Sequence, residues 1–171
     1  MNDDAALWIP IRLLISITII SFFTALVLFG SQQASESIAL ETFKTEMLDL
    51  KQSLETLYQH GTSRDLSDFT DNPGSKRVYT LNIPDIITRV DFGRTHQQSM
   101  EYTSSITYQK KNQRVTLYLN SEIRLLQGIS KQDSWQPDPD NIGFRCGSGS
   151  IVFSAELVHN STGRFILLYV E

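Results

Sequence analysis

The chain has 171 residues, 40% of them hydrophobic, which suffices for one buried core with appendages. A formal net charge of −4 and a pI near 5.4 argue against a nucleic-acid partner, which would want a basic stripe, and against electrostatic attachment to an anionic membrane surface. The single cysteine, Cys146, leaves no internal disulfide framework and no thiolate cluster for zinc or iron–sulfur.

After a polar stub over residues 1–6, the run LWIPIRLLISITIISFFTALVLFG (7–30) carries Arg12 as its only charge. It matches the ~20 residues that a helix needs to span hydrocarbon. Pro10 falls in the first turn, where its missing N–H costs little. Arg12 is near enough to the N-terminal end to snorkel, and Trp8 suits the interfacial aromatic belt. A cleaved secretory signal would need a basic n-region, whereas MNDDAA is acidic and no A-x-A site follows Phe29. The expectation is a transmembrane helix in the cytoplasmic membrane, with the bilayer as its partner. The charge count sets Arg12 against Lys44 and Lys51 and leaves orientation open. The N-glycosylation sequon at Asn160, with Ser161 and Thr162, tips the expectation toward an extracytoplasmic C-terminal head.

No proline or turn pair interrupts residues 31–60, so the helix should continue as an amphipathic extension, with His60-Gly61 as its stop and Gly61 in the left-handed cap. Leu40, Phe43, Met47, Leu50, Leu54 and Leu57 alternate three and four apart, a heptad seam that puts Glu46 at g and Lys51 at e. Such a seam serves either a parallel dimer or the chain's own sheet. Leu48 and Tyr58 widen the apolar face, which favours the sheet.

Residues 61–75 read as a polar connector with a Pro-Gly turn, and 76–171 as a β-rich head. RVYTLNIP places Tyr79, Leu81 and Ile83 on one face, with Pro84 closing the strand, and IITRVDFG follows as another. MEYTSSITYQ and RVTLYLN predict a hairpin across Lys110-Lys111-Asn112-Gln113, with Val115, Leu117 and Leu119 alternating with Thr116 and Tyr118. EIRLLQG is a short further strand. SIVFSAELVH and RFILLYVE predict a hairpin through Asn160-Ser161-Thr162-Gly163. The last strand is apolar on both faces and should lie centrally, covered on both sides.

Few residues suggest chemistry. Cys146 sits beside Arg145, which could lower a thiol pKa, but His60, His96 and His159 show no spacing that supplies a base. Asp138 and Asp140 in DPDNIG echo the start of a calcium loop, yet Ile142 and Gly149 stand where its fifth and twelfth positions need ligands, so a surface loop is the better reading. GSGS at 147–150 lacks the lysine and helix of a phosphate loop. No cofactor and no enzymatic activity are expected.

The order of stub, apolar helix, amphipathic continuation and β-rich head resembles type IV pilin-like proteins. MNDDAALWIPIRLLISITIISFF, KRVYTLNIPD and the terminal GRFILLYVE look like small pilin-like membrane proteins of methanogenic archaea. The resemblance implies an α+β fold, a long N-terminal helix packed on a C-terminal antiparallel β-sheet head outside the cytoplasmic membrane. It also implies self-association, or contact with other pilin-like subunits, through the N-terminal helix. A prepilin leader has basic residues before its cleavage point and a glutamate soon after it. Here MNDDAA has neither Lys nor Arg, and Ile11 and Arg12 stand where the glutamate is expected, so the expected role is an uncleaved accessory subunit of a cell-surface assembly. The alternatives are a tethered extracytoplasmic binding module that dimerises through the 40–57 heptad, and an anchored enzyme using Cys146.

Overall fold

The computed structural model describes residues 4–68, 71–94, 102–131, 134–139 and 143–170. One helix, α1, spans Asp4–His60, starting three residues before the expected Leu7. The chain divides into two compact units, Met1–Glu41 and Thr42–Glu171.

In the first unit every residue from 11 to 38 is exposed, including the large apolar side chains from Ile11 to Phe29. The hydroxyls of Thr18 and Thr24 donate to the carbonyls of Leu14 and Ile20, four residues back, each at 2.8 Å. That back-bonding satisfies the hydroxyl without water, as a helix in an apolar medium requires.

The second unit carries ten strands among the described residues: β1 (Arg64–Asp65), β2 (Lys76–Ile83), β3 (Ile87–Arg94), β4 (Tyr102–Lys110), β5 (Gln113–Tyr118), β6 (Leu125–Lys131), β7 (Ser134–Pro137), β8 (Phe144–Cys146), β9 (Gly149–Asn160) and β10 (Gly163–Tyr169). They form two sheets where the sequence suggested one antiparallel sheet. The larger runs β1-β9-β10-β6-β7, with β2 also on β9; the smaller runs β5-β4-β3-β8. The smaller is antiparallel throughout, but β1 joins β9, and β6 joins β10, in parallel. The α+β class therefore holds, with a mixed sheet beside an antiparallel one.

Period-two patterning places most of these strands as expected. In β2, Leu81 and Ile83 are buried and Tyr79 is half-buried. β10 lies between β9 and β6 and is buried from Phe165 to Tyr169, which fits its apolar residues on both faces. Both hairpin turns fall on the four residues expected. Lys110 pairs with Gln113 and Asn160 with Gly163, leaving two residues in each turn. Lys111 takes the left-handed conformation, with φ 49°.

The amphipathic part of α1 lies on its own head. Phe43, Met47, Leu50, Leu54 and Leu57 are buried, and Leu40 is half-buried. Phe43 meets Tyr108 of β4 edge-on, ring centroids 5.3 Å apart. Toward the larger sheet, Ser53 Oγ lies 2.9 Å from the Tyr79 hydroxyl and accepts from Arg77 Nη1 at 2.7 Å. Phe92 of β3, Phe144 of β8 and Phe153 of β9 meet at centroid separations of 5.4–5.8 Å, closing one core between the sheets. Burial of each large apolar side chain contributes roughly 1.5–3 kcal/mol before entropy is counted. Lys51, the expected e-position partner across a dimer, pairs instead with Glu55 on its own helix at 3.8 Å.

The helix stop needs a different explanation from the one expected. Gly61 is not among the glycines with positive φ. A Cβ there would lie 2.5 Å from the Leu57 carbonyl oxygen and 3.0 Å from Leu157 Cδ2, so the site excludes a side chain by close packing. Arg164 Nη2 donates to the Gly61 carbonyl at 2.9 Å and its guanidinium lies over the Tyr58 ring, giving the helix end a cation.

Leu54 has 0% exposure, whereas Leu48 is exposed. Leu54→Ala should lower head stability by about 2–5 kcal/mol, and Leu48→Ala should change it by less than about 0.5 kcal/mol. Thermal and denaturant unfolding of the full chain in detergent checks both, and equal effects would contradict the packing described here.

Candidate functional site

Two concave regions, two buried carboxylates and the exposed apolar helix are the features from which a function can be built. The first concavity, about 300 Å³, lies between α1 and β2 and is lined by Glu46, Asp49, Leu50, Ser53, Tyr79, Thr80 and Leu81. One Glu46 carboxylate oxygen is buried there without a hydrogen-bond partner. The second, about 230 Å³, lies on the face of the smaller sheet that points away from its aromatic core.

That outer face follows from strand register. Val90, Phe92, Ile106 and Tyr108 turn inward, so Asp91, Ser105 and Thr107 turn outward. Asp91 is opposite Thr107 on β4 and Arg145 on β8, and Thr107 is opposite Thr116 on β5. Asp91 is only 6% exposed, and its oxygens are held by Arg145 Nε at 2.6 Å and Arg89 Nε at 2.8 Å. The Thr107 and Thr116 hydroxyls lie 3.2 Å apart, and Ser105 Oγ donates to Thr103 Oγ1 at 3.0 Å. Arg94, Arg114 and Tyr118 complete the lining.

The other buried carboxylate, Glu156, lies on the face of the larger sheet away from the helix. Arg64 clamps it through Nε and Nη2 at 2.7 and 3.1 Å, and Gly74 N–H adds a bond at 3.2 Å. Hydrogen bonding to Glu156 raises the Arg64 pKa against the opposing effect of burial. Arg64 Nη2 also donates to the Trp135 carbonyl, and the Trp135 ring stacks on Tyr169 at 4.1 Å. These bonds tie Arg64 and Gly74, within the 61–75 connector, to β7 and β9. Local sequence carries no sign of the clamp, because its two charged residues are 92 positions apart.

The residues singled out in the sequence are scattered. Cys146 is buried on β8, with Val90 O at 3.9 Å. Burial, and secondarily the Asp91 charge, push its thiol up from 9.0 to about 12, the reverse of the activation Arg145 suggested. Arg145 is engaged by Asp91 instead. Asp138 donates its N–H to Gln127 O at 2.8 Å, continuing the β6–β7 connection. Asp140 and His96 lie outside the described residues. Among the described residues no group of three or more His, Cys, Asp or Glu could hold a metal ion. Asn160 opens the β9–β10 turn, half-buried, with its Oδ1 accepting from Thr162 N at 2.9 Å and Thr162 Oγ1 at 2.6 Å.

No family model, curated protein or solved structure matches the chain.

Two measurements test these sites. Arg64→Ala should cost about 3–5 kcal/mol by stranding Glu156, while the double replacement Arg64→Met with Glu156→Leu should cost much less, read by denaturant unfolding. Cys146 should resist alkylation in the folded chain at pH 8. As pH rises from 9.0 toward about 12, the unfolded chain ionises this thiol first, so stability should fall across that window, and Cys146→Ala should flatten the fall.

Proposed function

We propose that this protein is a single-pass membrane protein that serves as a structural or accessory subunit of a pilin-like surface assembly, with its β-rich head outside the cytoplasmic membrane. The observation that carries the reading is the division of labour along α1. Its Phe43–Leu57 stripe is buried in the head, whereas the apolar side chains from Ile11 to Phe29 are exposed. That run is long and apolar enough to cross a membrane, and its threonine hydroxyls are satisfied internally. Lipid, together with the same helix of neighbouring subunits, is the environment that suits it.

A tethered binding module keeps one supporting observation, the polar concavity on the smaller sheet. Its dimerisation through the 40–57 heptad loses support, since exposing that stripe would open the core. The extracytoplasmic placement rests on the Asn160 sequon, which stands at an accessible hairpin turn.

Membrane fractionation of the full chain should leave it in the pellet after alkaline carbonate treatment, and extraction at that step would overturn the anchor. Leu13 and Phe22 are nine residues apart, so cysteines there point to opposite sides of the helix. In membranes, oxidation of the L13C/F22C double variant should give cross-linked ladders beyond dimers. The native Cys146 is buried and should stay silent. Monomers or dimers alone would overturn the assembly role and leave a simple tether.

A further inference from the structure

We propose that the concavity on the outer face of the smaller sheet binds a sugar-sized, polyhydroxylated anion, one that carries a carboxylate or a phosphate ester. Among the described residues, four guanidinium groups, those of Arg89, Arg94, Arg114 and Arg145, lie on this face with one carboxylate, Asp91, in a chain whose formal net charge is −4. Asp91 accepts a hydrogen bond from Arg145 and is ion-paired with Arg89. Neither Arg94 nor Arg114 has a carboxylate partner among the described residues, so two guanidiniums are available to an incoming anion. Arginine suits that role because its planar fork can bind a carboxylate or phosphate through two parallel hydrogen bonds.

The hydroxyls specify more than charge. Thr103, Ser105, Thr107 and Thr116 line the same hollow in two coupled pairs, at 3.0 and 3.2 Å. Each hydroxyl both donates and accepts, which matches the mixed requirement of a polyol and exceeds what a bare inorganic anion uses. Tyr118 stands at the margin, 74% exposed, and offers an aromatic face beside the polar floor. A volume of about 230 Å³ takes one small molecule. Threonine pairs across strands are common on solvated sheet faces. Strand preference alone does not account for a buried Ser105 and Asp91 at the floor, nor for the excess of guanidiniums around them.

Titration of the full chain in neutral detergent with glucuronate, glucose 6-phosphate, glucose and inorganic phosphate, followed by calorimetry, tests the assignment. At least one sugar anion should bind saturably, with glucose and inorganic phosphate each about tenfold weaker or more. Tighter glucuronate would identify a carboxylated sugar as the ligand class, and tighter glucose 6-phosphate a sugar phosphate. Arg114→Ala and Thr107→Val should each weaken that binding, Arg114→Lys should restore part of it, and Lys131→Ala, on β6, should leave it unchanged. Melting curves of the variants identify any that fail to fold, and the exposed Arg114 pair then decides the matter alone. Glucose binding as tightly as the sugar anions, phosphate binding as tightly as they do, indifference to Arg114→Ala, or no binding of either anion would each overturn the proposal.

Discussion

Burial of one helical stripe conditions the rest of the head. Phe43, Met47, Leu50, Leu54 and Leu57 recur three and four apart, so they fall on one side of α1 and can enter a core together. Phe43 meets Tyr108 of the smaller sheet and Ser53, beside Leu54, lies against the Tyr79 hydroxyl of the larger, while Phe92, Phe144 and Phe153 tie the sheets to each other. A sheet with a strand as apolar as β10 needs cover on both faces. On one side Phe153 of the same sheet meets Phe92 and Phe144 of the smaller sheet. On the other, Leu66, Leu126 and Trp135 pack against Val158, Phe165, Leu167 and Tyr169. The same commitment explains why a seam with zipper spacing need not form a zipper. Heptad spacing says which residues share a face, and what lies opposite that face is decided by the remaining chain.

Elements defined by local periodicity were legible in the sequence: the apolar run, the stripe, both hairpins and the doubly buried last strand. Features that depend on distant residues were not. The split into two sheets turns on which strand accepts β3 and which accepts β9, and alternation within a strand carries no information about its partner. The parallel pairing of β6 with β10 joins segments separated by β7, β8 and β9. Arg64–Asp65 is too short to stand out as a strand and is fixed by β9 and Glu156. At Gly61 the residue was visible but its reason was not, because a left-handed cap and a tight contact with Leu157 both call for glycine. The polar half of the candidate pocket was half-legible. Alternation in β4 and β5 set Thr107 and Thr116 outward, yet only register brought Asp91 and Arg145 beside them.

Two buried carboxylates, each held by arginine, serve different ends because their surroundings differ. Glu156 is 4% exposed, its arginine side chain is 11% exposed, and a backbone N–H, a tyrosine hydroxyl and the Trp135–Tyr169 stack surround the pair. No room is left for a ligand, and the value of such a pair is in fixing which segment covers the sheet. Asp91 is equally buried, but the Arg145 side chain beside it is 45% exposed and the concavity continues over it toward Arg94 and Arg114. Charge in a closed site holds the chain to itself. Charge at the floor of an open one is available to something else.

The placement of that open site also separates it from the anchor. Alternate residues of a strand point to opposite faces, so Ile106 and Tyr108 face the core that receives Phe43 while Ser105 and Thr107 face the pocket. A substitution at Thr107 or Arg114 therefore alters the proposed pocket without removing any side chain of the buried helical stripe. A change at Leu54 loosens the helix without touching the pocket lining. A head held by its inner face and facing solvent with its outer one can vary its ligand while keeping its attachment. That independence is what the proposed surface-subunit role would require, with the helix free to meet lipid or neighbours while the sheet meets a ligand.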